Sequence, residues 1–482
     1  MKPGTHSGLT RRRFLAGAVP AVVAGAGSCA AAANRSALKF KRVVFVTMDT
    51  VRRDHLPFHG YPRPVAPFLT RLAKRSVVFD ETICACSLTT PSHASMFTGL
   101  QLPQIGVYHN AYEALPEGLY TMAQLFRDQG YQTAGFASVV WMEKFAPGFS
   151  SFDCYDQTYL PEGSDRVYYG QAARTVDRAI AWLTTEAGKE PFFLWVHLYD
   201  PHDPYYPPSE VAGLMEDDFR ENRSKLLAHW VDRQHKHTRV GRVDSERDFV
   251  TMHNGYDSEI RYVDREMERL YGAAGKAGLH DDSLWVFTSD HGEGLGAHGY
   301  LSHGRRINRE QVSCPLLFHT PGGQLAPRTV PERVHHVDLM PTMAALLGTT
   351  LDTRPMTQQG ESLLPVLLRR GATNPDRLLY CQRQGPTSFG VSVDLPQGPV
   401  VGLYCGRLSS IFHAEGNDEM YDLRTDPYQQ QNFIDRVPPR LVEEMRDIAL
   451  TRHRDLLAEH SNLTDARESD EHKESLEALG YL

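Results

Sequence analysis

The sequence predicts an α/β fold with helices on both faces of the sheet, followed by a smaller α+β domain. Short segments with an apolar middle and polar ends recur at residues 41–49, 191–197 and 283–290, and such apolar runs are typical of strands buried on both faces. Helical patterns separate or follow them, at residues 64–75, 120–129, 172–187 and 257–277. Strands that alternate with helices indicate a sheet that is covered on both sides.

The C-terminal part of the chain has a different pattern. After about residue 370, short strand candidates at 378–382, 400–404 and 409–413 precede a charged helix at about 439–460. Short strands followed by a helix are typical of a small α+β unit. We therefore expect a large domain over residues 38–370 and a smaller α+β subdomain over residues 371–482.

Composition narrows the class of protein. The 482 residues include 51 Lys and Arg against 59 Asp and Glu, which gives a formal net charge of −8. This acidic balance, without a basic stripe, argues against a nucleic-acid partner. A chain of this length can bury a large core, so it needs neither disulfides nor a metal to fold.

The N-terminus has the layout of an export signal. Arginines at residues 11–13 precede an uncharged stretch over residues 14–33, and Arg-Arg-Phe-Leu resembles a twin-arginine signal. Removal of residues 1–33 would leave a periplasmic or extracellular protein without a stable membrane span. A membrane anchor is the alternative, but the stretch is mostly Ala and Gly and contains Pro20. Lipid attachment at Cys29 is a second alternative.

Acidic and imidazole side chains directly follow the predicted strands. Asp49 ends the first apolar run, His197 the second, and the pair Asp290 and His291 the third. In open α/β sheets, chemistry gathers beyond the carboxyl ends of the strands. Two carboxylates and one imidazole could hold one divalent cation there and leave a position open. Asp49, Asp290 and His291 are therefore candidate metal ligands.

A hydroxyl group lies at a predicted helix start. Thr89 stands two residues before Pro91, and proline is well placed early in a helix. A helix N-terminus directs N–H groups and a positive dipole end at an anion. The Thr89 hydroxyl could bind the metal, lose its proton and attack a sulfate or phosphate ester. His93, His202 and His303 could donate to the oxyanion or protonate the leaving group.

Five segments carry this chemistry and occur in a fixed order. They are residues 49–56 (DTVRRDHL), 89–99 (TTPSHASMFTG), 197–205 (HLYDPHDPY), 288–304 (beginning TSDHGE) and 420–427 (MYDLRTDP). Together they resemble the sulfatase family of the alkaline phosphatase superfamily, from about residue 42 to about residue 433. The resemblance implies a large α/β domain with a mixed sheet, a smaller C-terminal domain, one divalent metal and a covalent intermediate.

The resemblance also implies a role for each candidate residue. Four match the metal site, in which the nucleophile is itself a ligand: Asp49, Thr89, Asp290 and His291. Four are catalytic candidates, the nucleophile and three histidines that lie at or near family catalytic positions: Thr89, His93, His202 and His303. Two further histidines are candidates for substrate binding: His197 and His298.

This sequence departs from the family pattern in several places. Thr89 stands where sulfatases have the cysteine that becomes formylglycine, and threonine cannot undergo that conversion. Cys86 lies three residues too early to replace it. Thr50 occupies the position of a second aspartate that is common in sulfatases. Residues 135–140 read Gly-Phe-Ala-Ser-Val-Val, so the lysine and histidine expected near Ser138 are missing.

These departures leave the chemistry open between sulfate and phosphate esters. We predict a metal-dependent hydrolase that acts on an anionic ester, most simply a sulfate ester, through Thr89. A threonine nucleophile with an Asp-His metal pair is also typical of phosphodiesterases and phosphotransferases of the superfamily. A third alternative is an inactive, sulfatase-like binding protein. The resemblance implies Ca²⁺, whereas the imidazole of His291 favours Mn²⁺ or Zn²⁺.

Overall fold

The structure is a computed structural model that describes part of the chain. The described residues are 40–110, 115–116, 118–139, 142, 152, 154–156, 171–185, 191–215, 246–351, 356–372, 374, 377–383, 399–414 and 416–464. The predicted export signal, including Cys29, lies outside these residues. None of the described helices is both long and apolar enough to cross a membrane.

The described part of the large domain contains one sheet of nine strands. The strands are β1 (Arg42–Met48), β2 (Val77–Ile83), β3 (Gln132–Ala137), β4 (Cys154–Asp156), β5 (Phe192–Leu198), β6 (Ser283–Ser289), β7 (Ser313–His319), β8 (Arg328–Val330) and β9 (Val334–His335). Their order is β4-β3-β5-β1-β6-β7-β2-β8, and β9 also pairs with β2. β7 runs antiparallel to β6 and β2, whereas the other pairs are parallel. The sheet is therefore mixed, as the resemblance implied.

Helices cover both faces of this sheet. The described α-helices are α1 (Pro67–Ala73), α2 (Thr89–Thr98), α3 (Leu102–Ile105), α4 (Met122–Asp128), α5 (Ala172–Thr185), α6 (Glu246–Lys276), α7 (Arg309–Val312), α8 (Leu339–Leu347), α9 (Leu364–Leu367) and α10 (Pro439–Thr464). α6 begins earlier than predicted, because Phe249 and Met252 extend its buried face towards the N-terminus.

The central strand β1 shows why both faces are buried. Val44, Val46 and Met48 pack into the same core as α1, α5 and α6. Val43 and Phe45 pack into the opposite core with α2, α4 and α8. Successive strand residues point to opposite faces, so a continuously apolar strand needs a helical layer on each side. The predicted α/β architecture is confirmed.

The register of β1 brings the candidate site together. Met48 is paired with Leu198 of β5 and with Ser289 of β6. The next residues, Asp49 and Asp290, therefore leave two adjacent parallel strands at the same level. The N–H of Asp49 donates to Leu198 O at 2.8 Å, which continues the pairing beyond the strand end.

A smaller unit follows in the chain. Its strands are β10 (Leu379–Arg383), β11 (Val400–Cys405), β12 (Leu408–His413) and β13 (Glu419–Asp422), which form an antiparallel sheet in that order. Helix α10 packs on this sheet through Met445, Ala449 and Leu456. The predicted small α+β unit is confirmed, while a boundary at residue 371 stays a prediction.

Candidate active site

Helix α2 presents Thr89 at its first residue. Leu88 before it is extended (φ −139°, ψ 140°), and Pro91 lies in the first turn, where its missing N–H costs no intrahelical bond. The Ser92 hydroxyl donates to the backbone oxygen of Asp290 at 2.7 Å. The start of the helix is thereby fixed against the end of β6.

The Thr89 hydroxyl lies among the predicted metal ligands. Its Oγ1 is 3.2 Å from Asp49 Oδ2 and 3.5 Å from His291 Nε2. Asp49, Asp290 and His291 each offer a ligand atom, and these three atoms lie within 4.8 Å of one another. All four side chains are fully buried. The structure therefore brings the four predicted metal-site residues together.

Thr50 turns the chain sharply after Asp49. Its φ of 55° is a left-handed conformation, which is unfavourable for a β-branched residue. In this turn the Thr50 N–H donates to Asp290 Oδ1 at 3.1 Å and its hydroxyl donates to Pro201 O at 2.7 Å. Thr50 therefore ties the two metal-site strands to the segment that carries His202.

The electrostatics of the two aspartates are coupled. Burial, together with the facing carboxylate of Asp290, raises the pKa of Asp49 to about 8. Burial also acts on Asp290, but the imidazoles of His291, His93 and His197 outweigh it and lower the pKa of Asp290. Burial lowers the pKa of His291, yet the two carboxylates outweigh it and raise that pKa. Ionisation of both aspartates would therefore require more positive charge than the surrounding side chains supply.

Two orphaned oxygens show that the cluster suits a divalent cation. Asp49 Oδ1 and Asp290 Oδ2 are buried without a hydrogen-bond donor among the described residues, although buried polar atoms are normally paired. His291 Nδ1 lies 2.8 Å from the carbonyl oxygen of Gly292. A carbonyl only accepts, so Nδ1 donates and Nε2 keeps its lone pair for a metal. Two carboxylates, one imidazole and a hydroxyl thus fit one cation.

His202 and His303 approach this cluster from other segments, as the sequence predicted. The His202 and His303 ring centroids are 4.7 Å apart, and those of His303 and His291 are also 4.7 Å apart. Glu293 Oε2 lies 3.0 Å from His303 Nδ1 and accepts from the Tyr205 hydroxyl at 3.2 Å. Burial raises the pKa of Glu293 to about 7. Glu293 therefore fixes the orientation of His303.

His93 and His197 meet at one hydroxyl, that of Thr47 in β1. His93 Nε2 lies 3.1 Å and His197 Nδ1 lies 2.9 Å from Thr47 Oγ1. Trp195 Nε1 donates to the same oxygen at 3.1 Å. His93 Nδ1 is 2.8 Å from the backbone oxygen of Thr89. With both ring nitrogens engaged, His93 is placed to hold the helix start rather than to contact an ester.

The two predicted substrate-binding histidines are placed differently. His197 Nε2 is 3.3 Å from Asp49 Oδ2, so this ring borders the metal-site cluster. His298 Nδ1 is 2.8 Å from Glu310 Oε1, and its Nε2 is 2.8 Å from Gln429 O. Both nitrogens of His298 are thus engaged, and its Nε2 links the large domain to the C-terminal part. Its position gives no support to a role in substrate binding.

Some of the supporting residues have no sequence signal of their own. Thr47 is a polar residue inside an apolar strand, which indicates that its hydroxyl has a hydrogen-bond partner. The sequence does not indicate that His93, His197 and Trp195 are the partners. The expectation that the N–H groups after Thr89 face an anion is not met, because the Thr90 N–H donates to Asn110 Oδ1 at 2.9 Å, Pro91 has no N–H, and the Ser92 N–H donates to Leu88 O at 3.0 Å. Ser138 accepts from Tyr199 N at 2.8 Å and donates to His197 O at 2.9 Å. It joins β3 to β5 at the place where the resemblance led us to expect a lysine and a histidine.

Comparison with known proteins points to one family. The sequence model of the family described as Sulfatase matches residues 41–349, which is more than half of the chain. A choline-sulfatase of Rhizobium meliloti is 27% identical over 82% of this chain and 82% of its own length.

Solved structures share the fold. The protein BT4656, solved with its substrate D-glucosamine-2-N,6-O-disulfate, superposes with a TM-score of 0.68 at 19% identity, covering 89% of this chain and 100% of that one. The phosphonate monoester hydrolase of Agrobacterium radiobacter superposes with a TM-score of 0.64 at 19% identity, covering 87% of this chain and 96% of that one. At these identities the likeness concerns the fold alone.

Proposed function

Because the chain belongs to the sulfatase family of hydrolases, we propose that it cleaves a sulfate ester, or a related phosphate ester, through a covalent intermediate on Thr89. One observation carries the proposal. The Thr89 hydroxyl lies at the start of a helix, 3.2 Å from Asp49 Oδ2 and 3.5 Å from His291 Nε2. A hydroxyl held between a carboxylate and an imidazole can lose its proton as it attacks.

The reaction would proceed in two displacements. Thr89 Oγ1 bonds to the sulfur or phosphorus of the ester while the bond to the leaving oxygen breaks, and that oxygen takes up a proton. Water then attacks the same atom, which releases the inorganic anion and restores the hydroxyl. His202 and His303 hold the ester oxygens or supply the proton, since they face the cluster from separate segments.

The residues of the metal site would hold one divalent cation. Bound there, it would supply positive charge that lowers the pKa of a hydroxyl and stabilises the anionic ester. Asp49, Asp290 and His291 would be its ligands together with Thr89. This donor set, which includes an imidazole, favours Mn²⁺ or Zn²⁺ over Ca²⁺.

Phosphoryl transfer is the second candidate, and the identity of residue 89 favours it. A formylglycine hydrate can expel sulfate by collapsing to an aldehyde, whereas a threonine ester needs a second attack at sulfur or phosphorus. A threonine phosphate is resolved by in-line attack of water or of an acceptor hydroxyl. Activity as a phosphodiesterase or phosphotransferase therefore uses the same residues without formylglycine.

We also propose that the protein is exported, to the periplasm or beyond. The support is the sequence of residues 1–33 alone, in which arginines precede a weakly apolar, uncharged stretch. A twin-arginine route exports folded proteins, which suits a protein that binds its metal in the cytoplasm.

Replacement of the nucleophile tests the proposed function. Thr89→Ala removes the attacking oxygen, so turnover of every substrate that the wild type cleaves should fall by about 10⁴-fold. Rates are measured on an aryl sulfate, a phosphomonoester and a phosphodiester. Mass spectrometry of acid-quenched wild-type reactions should place a sulfate or phosphate group on the peptide that carries Thr89.

A threonine at the other end of the same helix provides the matched control. Thr98 is buried, and its hydroxyl donates to Ala94 O at 2.7 Å, so Thr98→Ala removes a buried hydroxyl without touching the cluster. It should keep wild-type rates. Undiminished turnover by Thr89→Ala would overturn the mechanism, and a metal-loaded wild type inactive on all three substrates would favour a binding protein.

A further inference from the structure

We propose an anion-binding subsite beside Thr89, formed by Arg305 and Arg383, that takes a carboxylate or another anionic group on the alcohol part of the ester. The subsite deepens the proposed function and rests on it, because it takes Thr89 as the place where the ester binds. Arginine suits such a group, since its planar set of N–H donors matches the oxygens of a carboxylate, sulfate or phosphate. The substrate would then be an ester of an acidic alcohol.

A small cavity lies between the large domain and the small sheet, next to the residues that flank the proposed nucleophile. Its lining includes Leu88, which directly precedes Thr89 in the chain. Gly304, which directly follows His303, lines it as well. From the small sheet, the lining includes Arg383, the last residue of β10. An anionic group bound there would therefore lie beside an ester that is held at Thr89.

The two large-domain segments around this cavity are fixed to each other. The Ser87 hydroxyl donates to Arg306 O at 2.8 Å and accepts from the Gly304 N–H at 3.2 Å. Leu88 packs closely on Gly304, where a Cβ would come within 2.7 Å of Leu88 Cδ2. Arg305 lies between these anchored residues. Its backbone is thus held beside the start of helix α2.

Positive charge accumulates around the cavity. Arg383 is only 5% exposed. Burial lowers its pKa, Tyr300 opposes this effect, and the neighbouring Arg306 and Arg305 lower the pKa further, to about 10 in total. Tyr300 lies beside the active site, since its hydroxyl donates to His303 O at 3.0 Å. A bound anion would offset the repulsion among these guanidinium groups.

Two buried N–H donors near the cavity have no acceptor among the described residues. One is Nε2 of Gln382, a fully buried residue that lines the cavity, and the other is Nε of Arg306. The amide oxygen of Gln382 is already used, because it accepts from the Tyr380 hydroxyl at 2.6 Å. Buried donors without an acceptor are costly. An anion supplies acceptor oxygens at this place.

Arg305 and Arg383, rather than Arg306, are the main partners of the anion. Arg306 interacts electrostatically with Glu419 of the small sheet, which takes up part of its charge. Arg305 interacts instead with Tyr300 and with Arg383. The charge of Arg305 is therefore directed towards the cavity and the active site.

Two ligands that differ by one charge test the subsite. They are the sulfate esters of 3-hydroxybenzoate and 3-hydroxybenzamide, and the phosphate esters of the same alcohols form a second pair. Binding to full-length Thr89→Ala in the presence of Mn²⁺ is measured by calorimetry, so that the esters are not consumed. The carboxylate should bind about 10-fold more tightly than the carboxamide, because guanidinium groups pair with it. Adding Arg305→Gln or Arg383→Gln should bring the ratio of the two affinities close to one.

The ratio separates a role in binding from a structural role. A loss of packing would weaken both ligands alike and leave the ratio unchanged. Arg370→Gln serves as the matched control, because Arg370 is an exposed arginine that follows helix α9. Added to Thr89→Ala, it should keep the full preference for the carboxylate.

The outcomes also separate the subsite from the proposed function. Equal affinities for the two ligands, no binding of either, or an unchanged ratio in the Arg305→Gln and Arg383→Gln variants would overturn the subsite. If Arg383→Gln loses its native circular dichroism, Arg305→Gln decides the question by the same ratio. Product release by Thr89→Ala would contradict the mechanism instead, whatever the ratio of affinities.

Discussion

Asp257 and the pair Asp49 and Asp290 are equally buried carboxylates that have opposite surroundings. Asp257, on helix α6, is fully buried, and both of its oxygens have partners. Oδ1 lies 3.0 Å from His55 Nδ1, and Oδ2 accepts at 2.6 Å from the Tyr61 hydroxyl and from Arg63 Nη1. Burial raises the pKa of Asp257, but these three partners outweigh it and lower the pKa below its ordinary value.

Asp49 and Asp290 lie beside each other, and their neighbours are imidazoles and a hydroxyl rather than an arginine. Each keeps one oxygen without a donor among the described residues, and the pKa of Asp49 rises to about 8 through burial and through Asp290. Burial alone therefore does not identify a functional carboxylate. The distinction is whether the fold supplies its partners, since a carboxylate that the fold leaves unsatisfied is positioned for a ligand.

Removing the charge of Asp257 gives the largest expected loss of stability. Asp257→Asn leaves the fully buried Arg63 guanidinium without a countercharge, so the free energy of unfolding should fall by about 3–5 kcal/mol. Chemical denaturation monitored by circular dichroism measures this change. The variant's metal content should match the wild type's while it is folded. If Asp257→Asn lost metal but kept its stability, the proposed distinction between Asp257 and the pair Asp49 and Asp290 would be wrong.

Glu81, like Asp257, is a buried carboxylate that has charged partners. We expect its replacement to cause a smaller loss of stability, and one that depends on pH. Burial raises its pKa, but Arg309 and Arg333 outweigh it and lower the pKa well below the ordinary 4.5. Because the folded-state pKa is the lower one, this stabilisation is present above about pH 4.5 and is lost as the pH falls. Glu81→Gln should cost about 2 kcal/mol at pH 7.

The pH dependence provides the check on Glu81. Between pH 7 and pH 3 the free energy of unfolding should decline more steeply for the wild type than for Glu81→Gln. Parallel curves for the two proteins would show that the two arginines do not stabilise the ionised Glu81.

The sequence predicted the fold from the alternation of apolar runs and helical patterns. The run at 41–49 became β1 (Arg42–Met48) because an apolar strand needs cover on both faces. The reversed direction of β7 was not readable from its residues, since an apolar run looks the same in either direction. The early start of α6 at Glu246 was missed because the helical pattern was recognised only from residue 257 onwards.

The site was predictable where a residue ends a strand or begins a helix. Asp49, Thr89, Asp290 and His291 met because parallel strands end at one edge of the sheet. The partners of Thr47 and the placement of His298 could not be predicted, since both depend on side-chain directions across distant segments. A sequence motif specifies the residue types, but it contains no information on the orientation of a histidine ring.

The most direct test of the account is the metal content of Asp290→Asn measured beside that of Asp257→Asn. Each variant replaces one buried carboxylate with an amide of the same shape. Asp290→Asn should bind one equivalent of Mn²⁺ or Zn²⁺ fewer than the wild type, because a neutral amide oxygen is a weaker metal ligand than a carboxylate. Asp257→Asn should bind as much metal as the wild type. If Asp290→Asn binds the full wild-type amount, the unsatisfied pair is not a cation site.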